Sequence, residues 1–194
     1  MLLNVRTLIF TLTVLTFTSC DFIFLKSPLE KTEINYGLQV DELAKEFNLP
    51  TEFLKALIVL ECSGRKKIPS RYEKHVFKKL RMVRDGKKKN YEHIRSKDIR
   101  DATNAALRNL ASSWGPFQLM GYKSLKLKIK VQDLKGEKSL FWAIKWINEE
   151  YGDYLRRGKY EEAFRIHNTG RRNGKTHDPN YVSNGMNYIQ YFKK

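Results

Sequence analysis

Apolar residues recur along most of this chain at the three-and-four spacing of helices. The densest stretch is 51–64 (TEFLKALIVLECSG), where Phe53, Leu54, Ala56, Leu57, Ile58 and Leu60 cover more than one face. That pattern predicts a largely buried helix. Thr51 fits its N-cap, Asn48-Leu49-Pro50 a turn before it, and Glu61 stands where the apolar run ends. Ahead of it, Val40, Leu43, Ala44 and Phe47 predict a short amphipathic helix behind a polar linker from Lys26 to Gly37. Tyr72, Val76, Phe77 and Leu80 have helical spacing, closed by an Asp85-Gly86 turn. Residues 98–110 predict a helix with Ile99, Ala102, Ala106, Leu107 and Leu110 inside. Residues 140–155 predict a longer one, N-capped by Ser139, with Leu140, Phe141, Ile144, Ile147, Tyr151 and Leu155 buried. Another covers 160–167 and stops at Asn168-Thr169-Gly170, before a basic loop over 171–177. Asp178-Pro179 opens a last helix with Val182, Met186, Ile189 and Phe192 inward. Two stretches depart from this period. Ser112-Ser113 and Gly115-Pro116 break the helix, and apolar and polar residues then alternate; residues 125–131 (LKLKIKV) alternate strictly and read as a strand. The expected fold is therefore mainly α, one domain with a small irregular or β region.

The first residues carry a different pattern. Met1 to Arg6 is short with one positive charge, residues 7–18 (TLIFTLTVLTFT) are apolar, and the run ends at Ser19-Cys20. This is a bacterial signal-peptide pattern. Phe17-Thr18-Ser19-Cys20 resembles a lipobox, which makes Cys20 the expected lipidation site. The expected organisation is a lipoprotein-type signal peptide over 1–19, a linker over 20–38 and a folded domain over 39–194. A cleaved signal with a free Cys20, or an uncleaved anchor helix over 7–25, are the alternative readings. If Cys20 is acylated, Cys62 is unpaired; the alternative is a Cys20–Cys62 disulfide.

Charge narrows the partners. The 194 residues carry a formal net charge of +16, which implies an anionic partner. Export argues against cytoplasmic nucleic acid and leaves anionic lipid or an anionic wall polymer. Between Ser63 and Arg95, 13 Lys and Arg face only Glu73, Asp85 and Glu92. That run reads either as a solvated face or as an electrostatic surface for such a polymer. The sequence has no internal repeat, Gly-rich phosphate loop or paired CxxC, and His75, His93, His167 and His177 lack metal-ligand spacing, so neither metal nor cofactor is expected. The chemistry-bearing candidate is Glu61. A carboxylate at the negative end of a helix dipole, among apolar neighbours, is favoured in its protonated form and suits a general acid.

Several segments, in order, resemble one superfamily. The helix ending at Glu61 resembles the first catalytic block of soluble lytic transglycosylases and goose-type lysozymes, in which a buried helix ends in Glu, usually followed by Ser. Ser113-Trp114-Gly115-Pro116-Phe117-Gln118-Leu119-Met120 is similar to their Gly-Leu-Met-Gln block, and closer to the Ala-Ser-Trp-Gly-x-Phe-Gln-x-Met-Gly block of phage-associated N-acetylmuramidases. Tyr72-Glu73-Lys74-His75-Val76-Phe77 resembles a Phe-Glu-x-His-x-Phe stretch of that second family. His167-Asn168-Thr169-Gly170 stands where transglycosylases carry Tyr-Asn-Ala-Gly, and Tyr181-Val182 with residues 188–192 resembles their closing helix. The chain departs from the pattern at Cys62, where Ser is usual, and at His167 and Thr169, where Tyr and Ala are usual. The resemblance spans roughly residue 40 to the C-terminus.

It implies a lysozyme-like fold and cleavage of the β-1,4 bond between N-acetylmuramic acid and N-acetylglucosamine in peptidoglycan. Glu61 would be the general acid and base of a lytic transglycosylase giving 1,6-anhydro ends. The alternatives are a hydrolytic muramidase, with Glu73 (or, after it, Asp101) as second carboxylate, and a non-catalytic lipoprotein that binds the wall. Ser63, Gln118, Met120, His167, Asn168 and Tyr181 are the expected substrate-side residues. The expected protein is a monomer, exported and anchored to the membrane through Cys20, facing the periplasm or cell envelope.

Overall fold

The computed structural model describes residues 26–193; Cys20 and the signal-peptide expectation lie outside them. The core grows from a helical hairpin. α1 (Pro28–Phe47) ends at Asn48 in the left-handed region, the chain turns at Leu49 and Pro50, and α2 (Thr51–Cys62) returns against it. Phe53, Leu54, Ala56, Leu57 and Ile58 are fully buried. Each large apolar side chain so buried contributes about 1.5–3 kcal/mol. α2 is wrapped by α1 on one side and α9 (Tyr181–Phe192) on another. α7 (Ser139–Arg156) and α8 (Tyr160–Thr169) complete this first cluster with Ile144, Ile147, Tyr151 and Phe164.

A second apolar cluster is built by α3 (Lys74–Arg84), the hairpin of β2 (Asn90–Tyr91) and β3 (Ile94–Arg95), and the short helices α4 (Ser96–Ile99) and α5 (Asn104–Leu110). Val76, Leu80, Val83, Ile94, Ile99 and Leu107 fill it. The two clusters meet at a three-stranded antiparallel sheet, ordered β1 (Arg71–Tyr72), β4 (Ser112–Trp114), β5 (Leu119–Met120). Arg71 pairs with Ser113, and Ser113 with Met120. The β4–β5 hairpin supplies both sides: Phe117 and Leu119 enter the first cluster, while Met120 and then Tyr122 join the second. The fold is mainly helical with a small antiparallel sheet. Among the described residues, no helix is long and apolar enough to cross a membrane.

Five expectations are corrected. Residues 28–38 are helix rather than linker: Ser27 and Glu30 form a capping box, with Pro28 at the first turn. Thr51 is the first residue of α2, not its cap; Pro50 holds the extended cap position without a side-chain bond. Lys138 likewise precedes α7, and Ser139 begins it. The helix expected over 98–110 is broken between Ile99 and Asn104, where the Thr103 hydroxyl accepts from Ala106 N and starts α5 afresh. The strand expected over 125–131 is absent. α6 (Lys123–Leu127) ends at Lys128 in the left-handed region, and a 3-10 turn (Val131–Leu134) follows.

Candidate active site

Glu61 lies on the last turn of α2, its side chain 16% exposed. Apolar positions 53–58 bury the helix, so the carboxyl is carried to the edge of the core on a rigid support. The chain leaves α2 through Ser63, whose positive φ caps the helix with its N–H on the Val59 carbonyl. Cys62 faces inward, free and 1% exposed, and burial pushes its thiol pKa up to about 11.

Two side chains approach Glu61 from distant parts of the chain. The Tyr181 hydroxyl, at the start of α9, donates to Glu61 Oε1 at 2.5 Å. Burial, then the charge of Glu61 and this hydrogen bond, raise the Tyr181 phenol well above its ordinary pKa, so it remains a donor. His167, on the last turn of α8 with its side chain 5% exposed, places Nε2 at 3.9 Å from the same oxygen. That is beyond hydrogen-bond range. The ring's protons are assigned by its own partners. Phe117 O, 3.0 Å from Nε2, can only accept, so Nε2 carries the hydrogen. Nδ1 is then the acceptor for the Tyr151 hydroxyl at 2.7 Å. Burial lowers the His167 pKa, against the opposing pull of Glu61 and the Phe117 carbonyl. The imidazole beside Glu61 is therefore neutral at neutral pH. Glu61 Oε2 has no partner among the described hydrogen bonds and ion pairs.

The other expected residues divide into two groups. Ser63 and Asn168 are exposed, and Asn168 bears on the Tyr181 phenol. Gln118 and Met120 instead hold the hairpin. The Gln118 amide accepts from Ser113 Oγ at 2.7 Å and donates to Gly115 O at 3.1 Å, at a position with φ of 47°. Met120 packs on the second apolar cluster. Glu73 stands at the N-cap position of α3 without a side-chain capping bond, and its carboxylate pairs with Arg71 at 2.7 Å and His75 at 3.5 Å. Asp101 is 96% exposed beside Arg100. Among the described residues, no group of His, Cys, Asp and Glu is placed to hold a metal.

The pattern of apolar positions missed Tyr151 as a site residue, because a buried phenol in a helix reads as core. A kink at Tyr151, with φ −148° and ψ 19°, directs it to His167. Gly152 directly after it was the available signal. Lys123 was missed as well. It bridges to Glu92 at 2.8 Å, lies over the Trp146 ring, and its charge reaches His167.

What the arrangement can do follows from these contacts. One carboxyl is oriented through Oε1 by a phenol, presents Oε2, and has a neutral rather than charged imidazole beside it. That suits transfer of a proton out and back at a single oxygen. No protein-family model, curated protein or solved structure matches the chain.

Proposed function

We propose that the protein cleaves the β-1,4 bond between N-acetylmuramic acid and N-acetylglucosamine in peptidoglycan strands, as a lytic transglycosylase with Glu61 as acid and then base. The observation that carries this reading is the single held carboxyl: Tyr181 fixes Oε1, and Oε2 has no partner among the described residues.

In this mechanism the proton on Glu61 Oε2 passes to the bridging oxygen. The bond from the muramic C1 breaks and its electron pair leaves with the N-acetylglucosamine oxygen. Tyr181 continues to donate to the carboxylate that remains. That carboxylate then takes the proton of the muramic 6-hydroxyl, whose oxygen closes on C1. No water is consumed and Glu61 ends protonated. Hydrolysis would instead use a second carboxylate, about 5–5.5 Å away as a nucleophile or about 6.5–9.5 Å away to activate water; the candidate, Glu73, is ion-paired to Arg71 and His75. Asn168 and Ser63 are the exposed residues proposed to meet the sugars, in an envelope-facing lipoprotein.

Purified sacculi test the reading. Wild-type protein is expected to release soluble muropeptides whose ends are lighter by one water than hydrolytic ends, and Glu61→Gln is expected to release almost none. Hydrolytic ends would replace the transglycosylase with a muramidase. Equal, negligible release by both proteins would leave the wall-binding lipoprotein as the reading.

A further inference from the structure

Two segments far apart in sequence meet where the described chain begins. The first turn of α1 packs on the loop after α2 so closely that a Cβ on Gly64 would lie 2.8 Å from Pro28 O and 2.5 Å from Thr32 N. Asn35 Nδ2 donates to Gly64 O at 2.7 Å, and the Tyr36 hydroxyl to Arg65 O at 2.6 Å. Lys26 and Lys31 lie on the α1 side of this docking, and Arg65, Lys66 and Lys67 on the loop side. None of these five cations forms an ion pair among the described residues. Of the carboxylates in the same turns, Glu30 closes the capping box with Ser27 and also feels the charge of Lys26, while Glu33 is held by Lys55.

We propose that these five cations form a collar that lies on anionic phospholipid headgroups and holds the catalytic end of α2 at the membrane surface. The proposal rests on the reading of the N-terminal segment as a membrane anchor at Cys20. Seven peptide steps separate Cys20 from Ser27, a reach of about 25 Å at full extension. A domain tethered that closely stays within about 25 Å of the bilayer, and the face at the point of entry is the cationic one. Each Lys or Arg near an anionic surface strengthens binding about fivefold. A lone acyl chain holds only marginally, and an adjoining cationic patch is what makes such anchoring stable. Glu61 stands four residues before Arg65. The collar would thus direct cleavage to glycan lying next to the membrane.

The test uses the full chain in vesicles of phosphatidylcholine, with or without phosphatidylglycerol, carrying a headgroup quencher. A fluorophore is placed at Lys67→Cys, or as a control at Glu46→Cys, about 25 Å along α1. The expected result is stronger quenching at position 67 than at 46, only with phosphatidylglycerol. It should fall to the phosphatidylcholine value in about 0.5 M salt or on adding Lys31→Ala and Lys66→Ala. Equal quenching at 67 in both vesicle types, or none lost in that variant, overturns the proposal. So does capture by soluble polyphosphate without any response to phosphatidylglycerol. If the chain floats with neither vesicle, the anchor reading and the collar both fail. If phosphatidylglycerol vesicles alone raise it and salt releases it, the anchor fails, and the collar fails with it unless quenching at 67 still exceeds that at 46. None of these readouts requires turnover, so they are independent of the role of Glu61.

Discussion

The Tyr181 hydroxyl and the Glu61 carboxyl meet at 2.5 Å although 120 residues separate them in the chain. The contact exists because α9 packs directly on α2. Tyr181 is itself anchored, its ring edge-on to Phe164 with centroids 6.3 Å apart. Tyr181→Phe should therefore keep the packing and lose only the donor. A hydrogen bond to a charged group contributes about 1.5–3 kcal/mol, so muropeptide release is expected to slow by about ten- to 150-fold. The melting temperature should fall by about 3–12 °C, the shift that loss of such a bond implies. A Tyr181→Phe protein that turns over at the wild-type rate would remove Tyr181 from the mechanism.

His167 predicts an acid sensitivity. Its folded pKa lies below the unfolded value of about 6.5, chiefly through burial. In the window below about 6.5 the unfolded chain binds the proton more readily than the folded one. Stability is thus complete above that window and is lost as pH falls through it, levelling off below the folded pKa. Protonation at Nδ1 would also oblige the Tyr151 hydroxyl to turn round. His167→Gln can still donate to Phe117 O and accept from Tyr151, but does not titrate. Between about pH 7.5 and about pH 5, its melting temperature should drop less than that of wild type. The residual drop would include His93, whose pKa is also lowered by burial. Parallel curves for the two proteins would show that His167 is not the sensitive group.

Glu73 separates the two glycosidase readings. Its partners Arg71 and His75 are themselves largely exposed, so the cluster stabilises the fold by less than about 1 kcal/mol. Glu73→Gln is expected to melt near the wild-type temperature and to release anhydro muropeptides at close to the wild-type rate. A collapse of activity with an intact fold would restore Glu73 as a second carboxylate and favour hydrolysis.

The helices that bury whole apolar faces, α2 and α7, were legible from spacing, as was α9. The first half of α1 was not. Its buried positions are Thr32 and Gly37, which leave no apolar period, and only the capping signature Ser27-Pro28-Leu29-Glu30 marked its start. Residues 125–131 show the converse. Leu125, Leu127, Ile129 and Val131 are half-buried and the lysines between them exposed, so alternation read burial correctly. It misread the backbone, because Lys128 adopts φ of 56° and the segment joins no sheet. At the site, Glu61 was marked by its position at the end of an apolar run. The Tyr151–His167–Phe117 chain was not, since hydrogen bonds between elements leave no periodic trace in sequence.

Gly64 offers a test of how the site is held. A Cβ there would meet Thr32 N at 2.5 Å and Pro28 O at 2.8 Å, both backbone atoms of α1 that cannot step aside as a side-chain end can. Its φ of 67° adds strain for any L side chain. Gly86 has nearly the same φ, 70°, with nothing within 4 Å of the added carbon. Gly86→Ala therefore isolates the backbone strain, about 1–2 kcal/mol. Gly64→Ala carries the same strain plus the separation of α1 from α2, about 1–3 kcal/mol more. Urea unfolding of the two variants should show Gly64→Ala losing roughly twice as much stability. Because Glu61 sits on the turn that Gly64 ends, the Gly64 variant alone should also lose activity at temperatures where it remains folded. Equal losses in both proteins would mean that the α1–α2 junction yields, and that Glu61 is positioned by Tyr181 rather than by this contact.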